Sequence, residues 1–518
     1  MKQVVYADDL TGAGRIRDLK EWWQRVQLSV GEVIGYHPNA SKSVLIVKED
    51  KYEEAVWTFD GTGVKITKEG QRHLGAVIGT EECKRDYVRK KVAEWVKEVK
   101  TLADIAKSEP HAAYTAFTYG VKHRWTFLMR TVPGIGQMFQ PLEEAIRGTF
   151  IPALTEMEGV TQELRDLLAL PPRFGGMGII NPVEAALHEY QNSLKLTTSL
   201  TEKIREQNEN DEVDEEEQRN ARQEITKSRE ERQKHSLEQI KTECSEELKM
   251  RVEMAQDTGA SNWLTSLPIK EKGFSLNKQE FNDAVALRYG WPVSNLPLKC
   301  ACGEINNPDH CMTCKKGGFI CIRHDEVRDI TAQMLDEVCH DVRIEPELLP
   351  MDGQRLAHNT ANTSNEARVD VSARGFWTRG QRAFFDIRIF NPRAQTYRER
   401  GHKAAYLRNE SEKKRAYEER ILNRDQGSFT PLVFSSSGGM GPSASVFYAR
   451  LAEQISEKKR QHRSQVITWM RCRLSFSLLR SALLCLRGTR SSPLQRTRVR
   501  DLDFEMVVAE GRIGEQLG

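Results

Sequence analysis

Residues 367–392 read ARVDVSARGFWTRGQRAFFDIRIFNP. RVDVSA and AFFDIRIF have the β-branched and aromatic content of strands, and the stretch between them reads as a turn. Each strand carries one acid, Asp370 or Asp386, among apolar neighbours. Burying one carboxylate is costly, and burying two close together is worse unless a cation is shared. Facing strands with one acid each therefore point to a metal site. The competing reading is two surface acids on alternating strand faces.

Working outward, CIRHDEVRDITAQMLDEV is an amphipathic helix carrying Glu326. On the other side, ESEKKRAYEERI is a basic helix with Lys413 and Lys414 close before Tyr417, hence on one helical face with it. FTPLVFSSSGGMGPSASVFYARLAEQ reads as a strand, a glycine turn and a helix start. A phosphate could sit at that helix N-terminus, or the glycines could serve only to turn the chain. Lys413, Lys414, Arg415, Arg420, Lys458, Lys459, Arg460, Arg463, Arg471 and Arg473 would contact a nucleic-acid backbone. Each taken alone is a solvated surface charge.

Just before this region stands KCACGEINNPDHCMTCKKGG, with Cys300, Cys302, His310 and Cys314. Two close sulfurs, a gap, then His and Cys at a four-residue offset can close a tetrahedron around structural zinc. Cys311 and Cys321 are spare or alternative ligands. The other reading is a set of buried free thiols.

The chain opens MKQVVYADDLTGAG, with Asp8 and Asp9 after an apolar run. GYHPNASKS, with Lys42, follows about thirty residues on, and RHLGAVIG, with His73-Leu74-Gly75 at a hairpin tip, about thirty after that. QVVYA reads as a strand and DDLTGAG as a turn. Between residues 81 and 200 the pattern is helical, with Val88, Val92, Trp95, Val96 and Val99 near one face.

These motifs, in this order, resemble the reverse transcriptases of non-LTR retrotransposons. YADD resembles the catalytic palm hairpin, Lys42 stands in the family's lysine position, and RHLGAVIG resembles the hairpin that grips the primer. The Cys/His cluster resembles the knuckle that follows the thumb. Residues 300–450 resemble the restriction-like, PD-(D/E)XK endonuclease of site-specific elements. Val369 replaces the motif proline, and Arg388 stands where the motif lysine would be. The resemblance implies Asp370 and Asp386 as ligands of Mg2+ or Mn2+, Glu326 as a further acid, and Lys414 or Lys413 before Tyr417 as the catalytic lysine.

The resulting expectation is an α+β multidomain chain: a truncated palm over 1–80, a helical thumb over 81–200, and a charged helical or disordered linker over 201–255. A zinc-knuckle region over 256–318, an α/β restriction-like nuclease domain over 319–487 and a disordered tail over 488–518 complete it. The family's first palm acid and its fingers lie upstream of anything this chain carries, so polymerase activity would need a partner chain that supplies them. DNA and RNA are the expected partners, and the location is intracellular, nuclear at least in part. The alternative is a catalytically inactive nucleic-acid-binding remnant of a decayed element.

The bulk composition is compatible. The chain has 518 residues, 39% hydrophobic and 29% charged, with a net charge of +3, so overall charge does not announce a nucleic-acid binder. Its start does not read as an export signal. Clustered cysteines in such a chain favour metal over disulfides. No apolar run approaches the ~20 residues of a membrane span, and LSFSLLRSALLCLRG, interrupted by Arg480, reads as a buried helix.

Overall fold

The computed structural model describes residues 1–30, 33, 35, 37–207, 215–349, 368–398 and 401–488. Most of the expected 488–518 tail lies outside the described residues, as does part of the charged linker. The fold is mixed α and β, with helix predominating. Two compact units interleave along the chain. The first comprises Met1–Ala103, Ala116–Phe150 and Ile180–Arg232; the second comprises Asp104–Thr115, Ile151–Ile179 and the described chain from Gln233. No described helix is long and apolar enough to cross a membrane.

In the first unit, β1 (Lys2–Tyr6) and β2 (Asp9–Ala13) form an antiparallel hairpin in which Tyr6 pairs with Asp9. The turn is therefore only Ala7-Asp8, with Ala7 at φ 55°, and DLTGA is strand rather than turn. β3 (Val44–Ile46) runs parallel to β4 (Lys65–Thr67). β5 (Gly70–His73) and β6 (Ala76–Gly79) form the expected second hairpin. Leu74 and Gly75 at its tip both have positive φ, 46° and 85°, as a two-residue hairpin turn requires. A small core of Trp23, Leu45, Ala55 and Phe59, with Ile66 packed against it, joins β3 and β4 to the helices on either side of β3.

The helix Glu81–Ala106 buries Val88, Val92, Trp95 and Val99, the stripe that its spacing predicted; Val96 at the stripe's edge is half-buried. Trp95 stacks on Phe139 with ring centroids 6.2 Å apart. The helix Pro182–Glu206 begins where Asn181 accepts a hydrogen bond from the Val183 amide. The charged stretch 215–243 is a continuous helix, Glu215–Glu243. Its few apolar residues Ile225, Leu237 and Ile240 are buried.

The second unit is built on a four-stranded sheet. β7 (His340–Ile344), β8 (Val371–Arg374), β9 (Arg382–Phe390) and β10 (Ser428–Ser435) lie in the order β10-β9-β8-β7. β8 is antiparallel to both β7 and β9, while β10 is parallel to β9. Alternation along β9 sends Phe384 to one face and Phe385 to the other. Phe384 packs with Tyr417 and Ile421, at the C-terminal end of the helix His402–Arg420. Phe385 meets Phe376 and Phe447, the latter on the helix Pro442–Lys459. On this second face the helix Phe319–Asp336 joins Pro442–Lys459 through a Thr331 Oγ1–Tyr448 Oη hydrogen bond of 2.7 Å. Helices thus cover both faces, which explains why β9 and β10 are nearly continuous apolar runs. Phe385 is fully buried, and truncating it to alanine would cost about 3–5 kcal/mol.

The helix Arg463–Arg487 packs against both Phe319–Asp336 and Pro442–Lys459. It contains LSFSLLRSALLCLRG, buried as its composition suggested. Arg480 donates from Nη2 to the Ser275 carbonyl at 2.6 Å, while its Nε is buried without a hydrogen-bond partner among the described residues.

Candidate functional site

Val371 pairs with Phe385 across β8 and β9. One register step further, Asp370 falls opposite Asp386, so the two acids are cross-strand neighbours. Asp386 is 3% exposed. Its Oδ2 lies 2.5 Å from Lys413 Nζ on the helix His402–Arg420. Lys413 also sits 5.5 Å from the centre of the Tyr417 ring, a cation–π contact that helps aim the ammonium. Asp370 Oδ2 accepts from the Ile387 amide at 2.5 Å. Burial pushes the Asp386 carboxyl up to about 6, and Asp370 beside it adds to the rise; Lys413 and His324 oppose it.

His324 is the member of this group that the sequence reading missed. Its Nε2 is 3.2 Å from Asp370 Oδ2 and 3.1 Å from the Ile387 carbonyl oxygen, and its Nδ1 is 3.4 Å from Asp325 Oδ1. Burial opposes its protonation, but hydrogen bonding to Asp370 and that carboxylate's charge outweigh burial and raise it to about 9. Glu326, the residue expected on this helix, is two positions and so about 200° further round. Its carboxylate acts on Arg473 and Arg480 of the helix Arg463–Arg487 instead. The only signal for His324 in the sequence was its place on the same helix.

The lysine assignment also changes. Lys413 reaches Asp386, whereas Lys414 is exposed. Arg388, in the motif-lysine position, pairs with Glu412 at 3.0 Å. Arg388, Lys413 and His324 line a groove of about 280 Å³ with Ile320, Ile387 and Ile389. The start of the helix Pro442–Lys459 is not open to a phosphate: Glu410 Oε1 accepts from the Ser443 amide and its Oε2 from the Ser443 hydroxyl, both at 2.9 Å. A carboxylate from the neighbouring helix already satisfies that N-terminus.

Cys300, Cys302, His310 and Cys314 come together, with one ligand atom from each mutually within 4.8 Å. Cys300 Sγ is 3.8 Å from Cys314 Sγ, and Cys302 Sγ is 3.3 Å from His310 Nε2. The local chain explains this convergence. Gly303 at φ 95° turns the strand back so that the Cys300 amide donates to the Glu304 carbonyl at 2.9 Å. Asn307 then caps a single helical turn, Pro308–Cys311, which presents His310. The Cys302 amide, then His310, lower the Cys300 thiol to about 6. Three sulfurs and one imidazole nitrogen are a fitting set for a metal ion such as zinc. Cys311 is not part of it. It is buried against Ala482, Cys485 and Leu486, and burial first of all pushes its thiol up to about 11. Cys321 is exposed.

The cluster is tied to the sheet. Arg393, just past β9, donates from Nε to both carboxylate oxygens of Asp309 at 2.9 and 3.0 Å. Asn391 Nδ2 donates to the Asp309 carbonyl at 3.3 Å.

Asp8 and Asp9 lie exposed on the β1–β2 hairpin, and Lys42 lies exposed in the short helical turn Ala40–Lys42. His73 of the second hairpin reaches β2, with Nε2 3.3 Å from Thr11 Oγ1. Among the described residues, the Cys/His cluster is the only group of three or more His, Cys, Asp or Glu side chains whose ligand atoms all approach within 4.8 Å. Neither the hairpin acids nor the Asp370–His324–Asp386 group meets that measure as it stands. No family model matches the sequence, and no curated protein matches it either.

Proposed function

We propose that the second unit cleaves a phosphodiester bond of DNA in a reaction that depends on a divalent cation, within a chain derived from a non-LTR retrotransposon. The observation that carries this is the β8–β9 register, which sets Asp370, one residue before β8, opposite Asp386 on β9, with Lys413 drawn onto Asp386 from a helix. The buried Asp386 and half-buried Asp370 carboxylates beside a backbone carbonyl form an oxygen donor set that suits Mg2+ or Mn2+. A cation there would neutralise charge building on the scissile phosphate and supply an activated water.

The protein's own groups have separate tasks. The Ile387 amide fixes Asp370 beside His324, which lines the groove. Lys413, steered by Asp386 and Tyr417, places a positive charge where a phosphate oxygen would develop negative charge. Arg388, always charged, offers a backbone contact rather than a proton. Chromosomal DNA as target would put the chain in the nucleus at least in part, and RNA from the element would be the second nucleic-acid partner. DNA synthesis is no part of this reading, which draws on no residue of the first unit.

The test is relaxation of supercoiled plasmid by the purified chain with Mg2+ or Mn2+. Nicking that disappears in Asp370→Asn and in Asp386→Asn supports the proposal. Nicking that survives the double substitution, or none from well-folded protein on any DNA, favours an inactive nucleic-acid-binding remnant.

A further inference from the structure

We infer that His324 is a cation ligand at the Asp370 site, giving a mixed nitrogen–oxygen shell that prefers Mn2+ to Mg2+. The inference rests on the nuclease reading above and adds a ligand and a metal preference to it.

Three ligand atoms from separate elements converge: Asp370 Oδ2 ahead of β8, the Ile387 carbonyl oxygen on β9, and His324 Nε2 on the helix Phe319–Asp336. The nitrogen is 3.2 Å from the carboxylate oxygen and 3.1 Å from the carbonyl oxygen. Ligands held at roughly 2.1 Å from one ion and at right angles to each other lie about 3.0 Å apart. These are hydrogen-bond distances, with the Nε2 proton shared between the two oxygens, and they also match neighbouring corners of one coordination shell, so an ion entering between the three atoms releases that proton and takes its place with little movement of the ligands.

The shell is also held from behind. The Ile387 amide fixes Asp370 Oδ2 at 2.5 Å, and Asp325 stands 3.4 Å from the other ring nitrogen of His324. A carboxylate on the far nitrogen is the usual support for a metal-bound imidazole. The groove lined by His324, Ile387 and Lys413 gives an ion and a phosphate access from solvent. Asp386 stands back on Lys413 and would complete the shell from the neighbouring strand. Carboxylate and carbonyl oxygens accept Mg2+ and Mn2+ alike, but an imidazole nitrogen suits the transition metal better.

The full chain, with its Cys/His cluster loaded with zinc, is titrated with Mn2+ and then Mg2+ by calorimetry. Pulsed electron paramagnetic resonance of the Mn2+ form reads nitrogen coupled to the ion. Mn2+ is expected to bind more tightly than Mg2+ and to show nitrogen coupling. In His324→Gln the coupling vanishes and Mn2+ affinity falls at least about tenfold. His324→Asp, an all-oxygen set, should keep a bound cation without nitrogen coupling and narrow the gap between Mn2+ and Mg2+. A wild-type Mn2+ spectrum without nitrogen coupling, with binding still lost in Asp370→Asn, overturns the histidine assignment and leaves the acids' role standing. Mn2+ binding indifferent to Asp370→Asn, or no Mn2+ binding, overturns both.

Discussion

Lys413 Nζ stands 2.5 Å from Asp386 Oδ2, while the adjacent Lys414 points to solvent. One residue along a helix is about 100° of rotation, enough to separate a lysine at the acids from one that only decorates the surface. Lys413→Ala should therefore reduce plasmid nicking by about a hundredfold or more, and Lys414→Ala should leave it within a few-fold of wild type. Equal losses in the two variants would show that the helix docks differently when DNA is bound.

The metal cluster should hold one zinc per chain. Cys302→Ser should lose it, and a strong chelator should lower the thermal midpoint of the second unit, because the stretch has little core of its own. Elemental analysis beside thermal unfolding makes the check. Folded wild-type protein free of zinc would remove the assignment.

Glu410 is nearly buried and satisfies the first turn of the helix Pro442–Lys459 through the Ser443 amide and hydroxyl. Glu410→Ala leaves both donors without their partner. A loss of about 1–3 kcal/mol is expected, read from denaturant unfolding. A loss under about 0.3 kcal/mol would mean that water replaces the carboxylate at no cost.

His111 is buried in the second unit between Phe281 and Phe476 and accepts from the Leu276 amide on Nδ1 at 3.1 Å. Burial, with Arg480 as a smaller cause, pushes its imidazole down to about 4. The folded value lies below the unfolded one near 6.5, so the unfolded chain takes up the proton first as pH falls. Stability present above pH 6.5 should drain away on acidification toward pH 4, by roughly 3 kcal/mol in all from this group. His111→Asn should flatten that part of the stability–pH curve, whatever it does to stability at pH 7. An unchanged slope between pH 6.5 and 4 would show that other groups carry the acid sensitivity.

Local pattern determined much of this protein. Alternation and β-branched content marked β8 and β9, with Asp386 on β9 and Asp370 one residue ahead of β8 rather than within it. Helical spacing marked the buried stripe of Glu81–Ala106. The cysteine and histidine spacing sufficed for the metal cluster, since all four ligands lie within fifteen residues and one glycine turn and one capped helical turn bring them together.

What periodicity could not decide was the rotation of a whole helix against the sheet. That angle is set by packing: Phe384 with Tyr417 on one face, Phe385 with Phe447 on the other, and Thr331 with Tyr448 between two helices. It turned His324 to the acids and Glu326 to Arg473 and Arg480, and it chose Lys413 over Lys414. It also brought Glu410 to a helix N-terminus that the sequence left open for a phosphate. A helix repeats every 3.6 residues whichever way it faces, so only the contacts between elements distant in the chain determine which of its side chains meet the chemistry.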